Sequence, residues 1–121
     1  MDTLKYKCKA FTSLEQSRKL AEILPLESAD MGYIPLAEDD DGNTLYTTEY
    51  KSEIIFDEDC IPCWSLAALI NILPRVYGLK PVLDLEECSI QYSGVDLYVT
   101  ASNSVDACVA MIKKLNELNL L

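Results

Sequence analysis

Between residues 81 and 102 the chain reads PVLDLEECSIQYSGVDLYVTAS, three β-rich runs separated by very short breaks. Parallel strands need a connection of about a dozen residues or more, usually a helix, and these breaks cannot hold one. The region is therefore expected to be an antiparallel meander. That requirement governs the rest, because one face of such a sheet must be covered by other elements.

Helices are the natural cover. "SLAALINIL", 65 to 73, has Ser65 as a candidate cap and Pro74 just past its end. It is apolar almost all round, which predicts a helix that is buried or sits in an oligomer interface. Toward the C-terminus, Ser104 is positioned to cap "VDACVAMIKKLNELNLL". There Val105, Cys108, Ile112, Leu115 and Leu118 or Asn119 share one face, opposite Lys113, Lys114 and Glu117. Asp106 early and the lysines late suit the helix dipole. A first helix is expected over residues 13 to 24. Thr12 and Glu15 have capping-box spacing, Leu14, Leu20, Ala21 and Leu24 lie near one face, and Pro25 stops the run.

The remaining segments read as extended. "LKYKCKA" alternates Leu4, Tyr6 and Cys8 with lysines, as an edge strand or a tail would. Tyr33, Ile34 and Leu36 precede the polar "DGN" turn and Leu45, Tyr46 and Tyr50 follow it, which favours a hairpin or an extended excursion. "EIIF", 53 to 56, is a further short strand. With 121 residues, half of them hydrophobic, one domain spanning 1–121 is expected. Its class is α+β: two layers, a mainly antiparallel sheet of about four to five strands, and three helices packed on it.

The net charge of −10 is concentrated. Residues 20–74 hold twelve acidic groups and one lysine, whereas residues 1–19 hold five basic and two acidic groups. That segment would repel a nucleic-acid backbone, so no nucleic-acid partner is expected. Charge runs of this kind usually form a solvated face. No apolar run approaches the roughly 20 residues of a membrane span, so no membrane partner is expected. "MDTLKYKCKAF" shows no secretory signal, and the expected location is the cytoplasm.

The chain has no histidine. Ser-His-Asp and Cys-His catalysis, histidine-ligated zinc and the usual neutral-pH proton shuttle are therefore closed to it. Carboxylates, thiols, lysines and tyrosines remain, and the thiols, at Cys8, Cys60, Cys63, Cys88 and Cys108, are an odd number without framework spacing. Reduced thiols are the expectation. The "CIPC" of Cys60 and Cys63 resembles half a zinc site, but a second hook is missing and Cys108 should face the core. The order "EIIF", "CIPC", helix, "LKPVLDL" also echoes thioredoxin-like proteins. Those folds need a further crossover before the proline strand, and Pro81 comes only eighteen positions after Cys63. Asp57, Glu58 and Asp59 would raise a nearby thiol pKa, and Trp64 follows the pair rather than preceding it.

"EDDDGNTLYTTE" invites comparison with a calcium loop. With Gly42 at the sixth position, Ala37 and Thr48 fall where the anchoring first and twelfth ligands belong. A solvated turn is expected there. No phosphate-binding glycine loop is present, and no pair of carboxylates can be assigned to glycoside hydrolysis. Neither metal nor cofactor is expected.

Three blocks, "LEQSRKLAEILPLESADM", "IPCWSLAALINILP" and "SVDACVAMIKKLNELNLL", resemble a group of small uncharacterised proteins encoded in gut-anaerobe genomes, often within prophage or other mobile elements. In that group the residues at the positions of Cys60, Cys63 and Trp64 vary, while the proline matching Pro62, an aromatic after it and the capped apolar helix persist. The resemblance implies a setting and brings no catalytic residues with it.

The reading that follows is a non-enzymatic protein-interaction module of a mobile element. Its expected interface, that of a homodimer, uses Trp64, Leu66, Leu69, Ile70 and Leu73 as anchors within an acidic rim. Trp64 alone could equally be a core anchor. Two alternatives are a DNA mimic acting through the acidic segment 20–74 and a thiol-disulfide oxidoreductase using Cys60 and Cys63.

Overall fold

A computed structural model describes residues 9–50 and 59–121. The expected strands at "LKYKCKA" and "EIIF", together with Cys8, fall on or largely within segments outside the described residues. The chain is α+β, with three α-helices and two antiparallel sheets of three strands each among the described residues.

Helix α1 spans Leu14–Leu20. Its cap is Ser13, one residue later than expected: the Ser13 hydroxyl accepts from Gln16 N, and Gln16 Oε1 accepts from Ser13 N at 2.9 Å. Glu15, freed from capping, pairs instead with Lys19 one turn on. Turns continue to Leu24, whose N–H donates to Leu20 O, and Pro25 ends them. A 3-10 turn, Leu26–Ser28, leads into the first sheet.

Strand β1, Met31–Glu38, pairs with β2, Thr44–Tyr50, on one side and with β3, Ile61–Cys63, on the other. The β1–β2 pair is the expected hairpin. It is buried only at its base, from Met31 to Gly32, and Leu36 near the tip is 68% exposed. Asp39 closes the tip, its Oδ1 accepting from Asp41 N and Asn43 N, with Gly42 supplying the positive φ of 82°.

Helix α2, Leu66–Ile72, is capped by Ser65 as expected. It separates the first sheet from the meander of β4, Pro81–Asp84, β5, Ser89–Tyr92, and β6, Leu97–Thr100. The order β4-β5-β6 is fully antiparallel. Six strands in two sheets thus stand where one sheet of four to five was expected. Helix α3, Ser104–Glu117, covers the meander. Its cap is Asn103, not Ser104: Asn103 Oδ1 accepts from Asp106 N at 2.8 Å.

The core joins all three helices to the inner face of the meander. Leu20, Leu69, Ile90, Tyr92, Val105, Cys108, Met111, Ile112 and Leu115 are buried. Alternation places Leu83, Ile90 and Val99 in register toward this core and Val82, Gln91 and Tyr98 away from it. A polar clamp ties the start of the described chain to α3. Asp106 Oδ1 accepts from Lys9 and Gln16 Nε2, and Oδ2 accepts from Asn103. Burial alone would raise the Asp106 pKa, but these hydrogen bonds and the lysine charge hold it below the usual value.

Candidate functional site

The CIPC stretch lies on an edge strand rather than at a helix N-terminus. Ile61, Pro62 and Cys63 pair with Tyr33, Gly32 and Met31, and Pro62 is tolerated because β3 has a neighbour on one side only. The α2 cap, Ser65, comes two residues after Cys63. Both cysteines are reduced thiols, and β3 holds residues 61–63 extended, which works against the α-carbon approach of at most about 7 Å that a disulfide needs.

Cys63 is fully buried in a small polar cluster. Its Sγ lies 3.6 Å from both Thr12 Oγ1 and Thr12 O. Burial raises its pKa and the Asp30 charge adds to that, outweighing the hydrogen bonds from Thr12, Ser17 and Trp64 N. Burial also pushes the Tyr33 hydroxyl and the Cys108 thiol each up to about 12. Protonated, enclosed thiols are poor nucleophiles. With a maleimide, half-exposed Cys60 should label first among the four described cysteines. Cys63 and Cys108 should label at least ~100-fold more slowly than in unfolded chain, since modification must wait for opening. Comparable native rates, or a native Cys60–Cys63 disulfide found by mass spectrometry, would contradict this placement.

The acidic hairpin tip uses part of its own charge internally, because the Asp39 carboxylate is turned onto the backbone it closes. Among the described residues no three His, Cys, Asp or Glu side chains are grouped as metal ligands would be. No described helix is long and apolar enough to cross a membrane.

A broad opening lies elsewhere, between the 3-10 turn and α2. It is a groove of about 510 Å³ lined by Glu27, Ser28, Ala29, Asp30, Ala67, Ala68, Asn71 and Ile72. Small side chains make the space: three alanines stand where larger residues would fill it. Two hydrogen-bonded posts hold its walls. The Asp30 carboxylate accepts from both the backbone N–H and the hydroxyl of Ser65. Ser28 Oγ accepts from Trp64 Nε1 at 3.0 Å and donates to Pro25 O. The groove shares Ser28 and Ile72 with a second depression of about 420 Å³, bounded also by Ile23, Leu24, Pro25, Asn116 and Leu121. Leu26 and Ile70, both substantially exposed, stand nearby in the same two elements.

These placements redistribute the expected interface. Trp64 and Leu69 are fully buried and Leu73 nearly so, which makes them core anchors of the chain itself. Leu66 is half-buried, and only Ile70 offers substantial surface. Helix α2 is not buried all round: Ala67, Ile70 and Asn71 form an open side. The arrangement can receive an apolar segment, with Glu27 and Asp30 adding negative charge. No family model, curated protein or solved structure matches the chain.

Proposed function

We propose that the chain is a protein-interaction module, in the mobile-element setting its three sequence blocks imply, and that the groove beside α2 is its docking site. The observation carrying this reading is the groove itself: about 510 Å³, floored by alanines and bearing two carboxylates. Its preferred occupant is a short apolar or aromatic segment with an adjacent lysine or arginine. Apolar anchors supply affinity in such sites, and charge complementarity supplies orientation and on-rate.

A panel of short fluorescent peptides pairing Leu, Ile or Tyr with Lys or Arg tests it by polarisation. Wild type should bind some of them, more weakly as salt rises. Ala67→Arg should weaken binding at least ~10-fold by filling the groove and offsetting its charge. Arginine is a good helix former at this exposed position, so α2 should persist. Binding undiminished in Ala67→Arg, or none by wild type, would overturn the proposal.

A further inference from the structure

The geometry points to a second copy of this chain as the occupant, with the Tyr77 ring of each copy seated in the groove of the other. This rests on the docking reading above and names its partner.

The insert is a turn already built. Val76 N donates to Leu79 O and Leu79 N to Val76 O, both at 2.9 Å, closing a two-residue hairpin. Both central residues have positive φ, 51° at Tyr77 and 78° at Gly78, as a type I′ turn requires. Glycine accepts this freely and asparagine readily, whereas a tyrosine is strained by it. The strained side chain adds nothing to the chain's own core: Tyr77 is 78% exposed and makes no hydrogen bond or ring contact among the described residues. The base of the turn is firm, with Val76 buried and Tyr92 OH donating to Pro74 O at 2.7 Å. A rigid, exposed aromatic is the form of anchor that interfaces favour.

Charge and position complete the match. Arg75 and Lys80 flank the turn and are exposed, while Glu27 and Asp30 line the groove. Ile72, in the groove wall, is three residues from Arg75, a chain reach of about 10 Å. Insert and receptor therefore lie close together. A two-fold axis running between them satisfies both exchanges at once, as an isologous dimer requires. Ile70, Leu26 and the partly exposed Leu79 extend the apolar contact. The predicted contact is small, so a weak, micromolar-range dimer is expected.

Sedimentation velocity across the micromolar range tests this with the full chain. Wild type should self-associate. Tyr77→Asn should weaken association at least ~10-fold while leaving the melting temperature equal or higher, since Asn-Gly is the favoured pair for this turn. Lys80→Glu and Glu27→Lys should each weaken it alone, and mixing those two variants should restore dimer through two matched contacts. A monomeric wild type, an unweakened Tyr77→Asn, or a mixture no better than its components would overturn the proposal. A monomeric wild type that still binds the peptides overturns the second-copy occupant alone; one that binds none overturns the docking reading as well.

Discussion

Trp64→Ala is expected to destabilise the chain by about 3–5 kcal/mol, as aromatic-to-alanine truncations in cores do. Domains of this kind have only about 5–15 kcal/mol in total, so the loss is a large share of the whole. The ring is fully buried where β3 runs into α2, and its Nε1 donates to Ser28 Oγ at 3.0 Å. Alanine would leave an apolar void there and remove one post of the groove wall. Urea unfolding followed by far-UV circular dichroism measures the loss as a lowered midpoint. Trp64→Phe separates the two contributions: it keeps most of the ring but not the N–H, and should cost about 1–2 kcal/mol. A Trp64→Ala midpoint close to wild type would mean that Trp64 does not anchor the core.

That result also bears on what the sequence around Trp64 can reveal. An apolar helix behind a lone tryptophan is compatible with a core or an interface, and only packing decides between them. Here α1, β5 and α3 contribute to the core that encloses Trp64 and Leu69, leaving Ala67 and Ile70 outside. The meander was legible because very short breaks permit no other connection. The lysine-bearing and apolar faces of α3 were legible because fourteen residues give a sustained period: Val105, Cys108, Ile112 and Leu115 are all buried. The division into two sheets was not legible, since β3 is three residues long, contains a proline and hides inside a cysteine motif. Nor was the Val76–Leu79 turn, because Tyr-Gly lacks the asparagine or aspartate that signals one. The groove joins residues 27–30 to 67–72, and nothing local in either segment announces the other. Its only trace is the pair of alanines in α2, which count as apolar in a periodicity but fill little space.

Thr12→Val should be the next most damaging change, at about 2–4 kcal/mol, although it preserves shape. By sequence, Thr12 looked like the cap of α1, a role whose loss costs about 1 kcal/mol. Ser13 holds that role, and Thr12 is fully buried beneath the helix. Its Oγ1 lies 2.7 Å from Ser17 Oγ and accepts from Trp64 N at 3.2 Å, while its own N–H donates to Trp64 O at 2.9 Å. Valine keeps the backbone bond but takes the side-chain acceptor from the buried Trp64 N–H and removes one of the Ser17 hydroxyl's partners, leaving it Cys63. Ser13→Ala, by contrast, should cost only about 1 kcal/mol. Urea titrations of these two variants discriminate the roles, since a capping Thr12 would give the opposite order. Combining Thr12→Val with Ser17→Ala should cost less than the sum of the two singles, because each single already breaks the one hydrogen bond between the two hydroxyls. Strict additivity would show that the two hydroxyls do not share a hydrogen bond, and the link from α1 through Thr12 to the Trp64 backbone would have to be redrawn.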